Sequence, residues 1–194
     1  MWQSSNSISF LSCLHFAIVN SSYCNNVLRP KQVISLENLY LGKDVLAVLP
    51  TGYGKSLIFH LLPALLFCKK IKETESYLEC DCSIPSIVIV ISPLNSLMND
   101  QIHRLTGRNI GLLSASVLNV KYGAFEDGAE NVICDVNNQL CEKTELENGH
   151  YNIVFSHPES LVSCKYGRDL MLSKPYQDNV CAVVVDEAYC ILEW

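Results

Sequence analysis

The feature that most constrains this chain is the octapeptide Leu49-Pro50-Thr51-Gly52-Tyr53-Gly54-Lys55-Ser56. It follows a short apolar run, Val45 to Leu49, and opens an apolar stretch, Ser56 to Cys68, that reads as a helix. A short continuous apolar run suits a buried parallel strand. Strand, glycine-rich turn and helix, in that order, make a phosphate-binding loop. Gly52 and Gly54 let the backbone curl so that N–H groups converge on phosphate oxygens. The helix start adds its dipole and its unpaired amides. Lys55 brings a full positive charge to the β- and γ-phosphates of a nucleotide, and Ser56 a hydroxyl for Mg2+. The alternative, a turn that merely reverses the chain, does not account for Gly-Lys-Ser at its end. The general pattern carries Gly where this chain has Leu49, which speaks against a kinase or a small GTPase.

The rest of the chain repeats the alternation. Ile87 to Ile91 is a second buried strand, rich in β-branched residues, and Leu94 to Leu105 the next helix. Asn152 to Phe155 is a weaker strand before a helix from about Pro158, and Ala182 to Val185 is a last apolar strand. Such alternation predicts βαβ crossovers, and hence an α/β fold, three layers around a mainly parallel central sheet. Lys70 to Pro85 and Lys121 to His150 are polar and read as surface excursions.

Val183-Val184-Val185-Asp186-Glu187-Ala188 puts two carboxylates at the carboxyl end of a buried strand. Ligands of open α/β sheets bind at that edge. Asp186 is placed to hold Mg2+ through water, and Glu187 to orient and polarise the water that attacks the γ-phosphate. By itself Asp-Glu after a strand is a solvated turn. A phosphate loop on the same sheet reverses that reading.

Composition limits the partners. The 194 residues carry a formal net charge of −6, with 49% hydrophobic and only 18% charged. A broad basic field for nucleic acid is excluded, so any such contact is local, through backbone amides and a few side chains. Several of the ten cysteines, Cys181 among them, lie inside apolar runs and read as small buried hydrophobes. Cys80-Asp81-Cys82 has the wrong spacing for a usual zinc knuckle, so free thiols are expected. Ile8 to Val19 is apolar but lacks a basic residue before it and is too short to span a bilayer. It reads as an N-terminal helix packing on the domain, with a signal peptide as the alternative.

In order and spacing, Leu28-Arg29-Pro30-Lys31-Gln32, Gly42-Lys43-Asp44-Val45 and Pro50 to Ser56 resemble the opening of the RecQ-type DNA helicases of superfamily 2. There Pro-Thr-Gly-x-Gly-Lys-Ser is the usual phosphate loop. Ser92-Pro93-Leu94-Asn95-Ser96-Leu97-Met98-Asn99-Asp100-Gln101 is similar to the family's next motif. Ser156-His157-Pro158-Glu159 looks like a later one. Asp186 to Trp194 resembles Asp-Glu-Ala-His-Cys-Ile-Ser-x-Trp, with Tyr189 in place of the histidine.

The resemblance implies a RecA-like ATP-binding domain over residues 28–194, after an extension over 1–27. It implies ATP and Mg2+ as cofactors and Arg29, Gln32, Thr51, Gly52, Tyr53, Gly54, Lys55, Ser56 and Asp186 as nucleotide-binding residues. The Gln32 amide would read the edge of adenine, since it donates and accepts at once. Outside the resemblance, Gln32 reads as a solvated helix residue. Lys55 and Glu187 become catalytic. Ser92, Asn95, Ser96, Gln101, Pro158, Glu159 and Trp194 become contacts to one DNA strand, with helix capping by Ser92 compatible. Single-stranded or tailed DNA is the implied partner, 3′ to 5′ the direction, the nucleus the compartment, and repair or recombination the setting. In that family the residue at Tyr189 helps link the nucleotide site to the DNA site; tyrosine hydrogen-bonds but is no imidazole.

The chain stops just after the last strand, so a fragment is expected. A second lobe, which supplies an arginine finger worth roughly 10³–10⁵ in rate, would lie beyond it. The 194 residues alone are then expected to bind ATP and Mg2+ but not to unwind DNA. Two other functions stay open: an RNA helicase of the same superfamily, whose usual Asp-Glu-Ala-Asp signature is absent here, and a non-catalytic nucleotide-binding module.

Overall fold

The structure is a computed structural model and describes residues 3–21, 23, 27–73, 86–93, 95–106, 115–124, 130–136 and 143–189. The chain forms two compact units, Met1–Ser86 with Asn109–Leu113, and Ile87–Arg108 with Ser114–Trp194.

The described part of the first unit is helical. Helix α1 (Gln3–Val19) buries Phe10, Cys13, Leu14 and Ala17, one stripe at helical spacing. That stripe packs on α3 (Lys55–Glu73), which is apolar on most faces and buries Ile58, Leu61, Leu62, Leu65 and Cys68. Each such side chain contributes about 1.5–3 kcal/mol of burial. Between them α2 (Pro30–Tyr40) starts with proline at its first position, where the missing N–H costs nothing. Its last residue ties the three helices together. The Tyr40 hydroxyl meets Ser9 Oγ at 2.9 Å, its ring lies 5.5 Å from Phe10, and Lys69 Nζ donates to its carbonyl at 2.7 Å. Burial pushes the Tyr40 phenol up. It also pushes the Cys68 thiol up, to about 11, with the neighbouring Cys13 adding to the shift.

The run Val45 to Leu49 is not the strand its composition predicts. It carries no strand pairing, and Leu46 and Val48 are 84% and 79% exposed. Apolarity favours burial, but it makes a strand only where a second strand's backbone groups pair with it.

The second unit holds the sheet, in the order β3-β2-β4-β1-β5. Its centre is parallel: β1 (Ile87–Ile91) pairs with β4 (Ile153–Ser156) and with β5 (Val180–Val185), and β2 (Ala115–Ala124) pairs with β4. Strand β3 (Glu130–Val136) is antiparallel to β2. The α/β, mainly parallel, RecA-like architecture therefore stands. Helices α4 (Asn95–Thr106), α5 (Lys143–Glu147), α6 (Pro158–Val162), α7 (Lys165–Leu172) and α8 (Lys174–Asn179) connect the strands. Ile87, Ile89, Leu146, Val154, Leu170 and Tyr176 form a core on the sheet, and the Tyr176 hydroxyl donates to the Leu146 carbonyl at 2.9 Å.

Two expectations change here. Residues 121–150 are more than a surface excursion: they hold the end of β2, all of β3, and α5. An antiparallel edge hairpin needs no continuous apolar run, so the polar residues interspersed among its apolar ones disguised it. Strand β5 alternates half-buried and exposed residues, with Val183 58% exposed, because among the described strands it forms an edge. Cys181 is accordingly exposed and outside any disulfide, its Sγ donating to the Ile87 carbonyl at 3.2 Å. Cys13 and Cys68 are also outside any disulfide, while Cys164 is disulfide-bonded, against the expectation of thiols throughout. The Cys80-Asp81-Cys82 segment lies outside the described residues. Among the described residues no helix is long and apolar enough to cross a membrane.

Candidate functional site

The phosphate loop is built from the first unit alone. Gly52 and Gly54 take left-handed φ angles of 76° and 86°, open to glycine at little cost. The Tyr53 N–H donates to the Pro50 carbonyl at 3.1 Å, closing a turn. Helix α3 then starts at Lys55, where the Leu57 N–H bonds the Gly54 carbonyl at 3.2 Å. Lys55 and Ser56 thus occupy its first turn, half-buried, and Thr51 is exposed on the loop.

Arg29 and Gln32 stand against the same loop. Gln32 is buried, 3% exposed, not a solvated helix residue. Its Oε1 accepts from the Arg29 N–H at 2.7 Å, capping α2. Its Nε2 donates to the Tyr53 carbonyl at 3.1 Å and to the Gly54 carbonyl at 2.9 Å. The Arg29 guanidinium lies 4.8 Å over the Tyr53 ring and reaches the Gly52 carbonyl at 3.4 Å. The sequence brought Arg29 and Gln32 to the loop but held no sign that both would grip its carbonyls.

The second unit gathers the other candidates on one sheet edge. Parallel pairing aligns Ile91 with both Ser156 and Val185, so three strands end side by side. The Ser92 N–H bonds the Ser156 carbonyl at 3.0 Å and the Asp186 N–H the Ile91 carbonyl at 2.9 Å. Ser92, Pro158 with Glu159, and Asp186 with Glu187 thereby follow adjacent strand ends. Asn95 opens α4, Ser96 is exposed in its first turn, and Gln101 is half-buried further along. Ser92 Oγ is buried without a hydrogen-bond partner among the described residues, so it does not cap α4 there. Trp194 lies outside the described residues.

At the acidic turn, Asp186 Oδ1 accepts from the Glu187 N–H at 3.0 Å. Glu187 has φ 52°, the one described non-glycine residue with a positive angle. That conformation costs roughly 1–2 kcal/mol and is the kind of strain found at functional positions. Nothing in its sequence announced it. At the end of β4, burial holds the His157 imidazole below its usual value, with Glu159 opposing the shift. The turn runs directly into Ala188 and Tyr189, and Tyr189 is 73% exposed.

The family model described as DEAD/DEAH box helicase matches residues 29–194. The chain is 32% identical over 167 residues to the ATP-dependent helicase SGS1 of Saccharomyces cerevisiae, covering 86% of this chain and 10% of that protein. It is 31% identical over 160 residues to the probable ATP-dependent DNA helicase RecS of Bacillus subtilis, covering 82% and 24%. To the ATP-dependent DNA helicase RecQ of Haemophilus influenzae it is 29% identical over 153 residues, covering 79% and 19%. The chain thus spans between a tenth and a quarter of the length of these relatives. The match begins at Arg29, takes in the phosphate loop and its two α2 partners, and runs through the acidic turn: the chain belongs to the DEAD/DEAH box helicase family and is RecQ-like within it.

Proposed function

We propose that this chain is the ATP-binding lobe of a RecQ-like 3′-to-5′ DNA helicase, which hydrolyses ATP with Mg2+ and couples turnover to movement on single-stranded DNA. The observation that carries the reading is the loop at Gly52 to Ser56. Two left-handed glycines turn straight into a helix whose first residues are Lys55 and Ser56. That is the architecture of an anion nest at a helix N-terminus.

The residues fit a bound Mg-nucleotide. Lys55 and the loop amides would hold the phosphates, and Ser56 and Asp186 would hold the metal, Asp186 through water. The metal, when bound, neutralises charge on the phosphate oxygens. Gln32 and Arg29 would face adenine, and Thr51, Gly52, Tyr53 and Gly54 would wrap the phosphates. Glu187 would orient water and take its proton. Ser92, Asn95, Ser96, Gln101, Pro158, Glu159 and Trp194 would meet one DNA strand, the six described residues among them through a sheet edge and two helix starts and not a basic surface.

Calorimetry with ATP and Mg2+ tests the core of this. Charge-assisted phosphate contacts contribute roughly 1.5–3 kcal/mol, so Lys55→Ala should weaken ATP binding at least about tenfold. Equal affinities with unchanged circular dichroism would sink the nucleotide assignment. ATPase assays with and without single-stranded DNA or RNA then separate the alternatives. Stimulation by DNA supports this reading, stimulation by RNA alone the RNA-helicase one, and binding without turnover a non-catalytic module.

A further inference from the structure

Three successive carbonyls of the phosphate loop accept hydrogen bonds from the start of α2. Arg29 Nη1 holds Gly52, and Gln32 Nε2 holds both Tyr53 and Gly54. A trans peptide is planar, so the carbonyl of one residue and the N–H of the next point in opposite directions. Turning the carbonyls of Tyr53 and Gly54 toward Gln32 therefore turns the N–H groups of Gly54 and Lys55 away from it. Those are the amides that an anion nest turns toward its ligand.

Gln32 suits this work. Its oxygen is spent on the Arg29 N–H, which fixes the orientation of the amide, and both its N–H bonds go to the loop. It is buried, where such bonds are not diluted by water. Packing is tight: a Cβ on Gly54 would come within 2.8 Å of Gln32 Nε2. The Arg29 guanidinium on the Tyr53 ring closes the other side.

We infer that Gln32 is a positioning residue for phosphate, holding the loop carbonyls so that the Gly54 and Lys55 amides face the anion, independently of any base. This rests on the nucleotide-site reading above and deepens it. The two N–H bonds of Gln32 are its whole donor capacity. An adenine that takes one must release a loop carbonyl, so base recognition and loop shape are exchanged against each other.

A ligand without a base separates the two roles. The probe is inorganic tripolyphosphate with Mg2+, titrated by calorimetry into the full chain, into Gln32→Met and into Gln32→Glu, with ATP in parallel. Gln32→Met keeps the volume without donors; Gln32→Glu keeps an acceptor for Arg29 N–H but gives the loop none. Tripolyphosphate affinity should fall at least fivefold in Gln32→Met and more in Gln32→Glu, with thermal melts still cooperative. Loss confined to ATP, with tripolyphosphate within twofold of the unmodified chain, overturns the inference and leaves the nucleotide site standing. Failure of both variants to melt cooperatively makes Gln32 a core residue of α2 and overturns it too. Failure of the unmodified chain to bind either ligand removes the nucleotide site, and this inference with it.

Discussion

The phosphate loop and the acidic turn both put residues into the left-handed region, and they get there differently. In the loop the residues are glycines, Gly52 and Gly54, which bear that conformation without strain, and side chains from another helix hold the carbonyls. In the turn the residue is Glu187, which does not favour it, held between the end of β5 and the adjacent Asp186 carboxylate. The first arrangement leaves amides for a ligand and keeps its shape by outside support. The second keeps a strained residue in place through its neighbour's side chain, at a cost in stability. On the proposed function, the segment that would bind and the segment that would act meet the same backbone requirement with opposite residues.

The largest expected effect comes from forcing the loop to behave like the turn. Gly54→Ala places a side chain at φ 86°, strained by roughly 1–2 kcal/mol, with its Cβ 2.8 Å from Gln32 Nε2. Thermal melts should show that loss, and ATP affinity should drop more than tenfold as Gln32 is displaced. Retained affinity would mean the glycine is not what shapes the loop. The reverse exchange is smaller. Glu187→Gly relieves the strain but adds freedom to the unfolded chain, for a net gain of about 0.5–1 kcal/mol in urea unfolding. ATP turnover should fall with it. A destabilised Glu187→Gly would show that the glutamate side chain holds the turn.

The smallest effect is on pH, at the sheet edge that carries the turn. Burial lowers the His157 pKa, so the unfolded chain takes the proton first. Stability should therefore be intact above the ordinary histidine value of about 6.5 and decline as pH falls from there through the lower folded value. Urea unfolding of the parent chain and His157→Asn at pH 7.5 and 5.5 checks it. The variant should lose less stability between the two. An equal loss in both would place the acid sensitivity elsewhere.

Much of the fold was legible before any coordinates. Ile87 to Ile91 is a strand at the bounds its β-branched run predicts, and the helices after Lys55 and near Asn95 and Pro158 begin within a residue or two of their signals. The family was legible too: the match runs over residues 29–194, the stretch whose motifs resemble it in sequence. The β2–β3 hairpin was not legible, because its strands mix apolar and polar residues instead of forming a continuous apolar run, and its pairing joins two separate segments of the chain. Local composition determines what a segment favours: glycines where the chain must curl, a lysine where charge is wanted, β-branched residues where a strand is buried. It does not determine which edge a strand finds or where a side chain's hydrogen bonds go. Val45 to Leu49 has a strand's composition and no strand pairing among the described residues, and Gln32 has a surface residue's polarity and a buried amide with three bonds. Both outcomes depend on partners distant in sequence. Only the tertiary structure supplies these, because a backbone or amide hydrogen bond exists only where a donor and an acceptor have been brought within about 3 Å of each other.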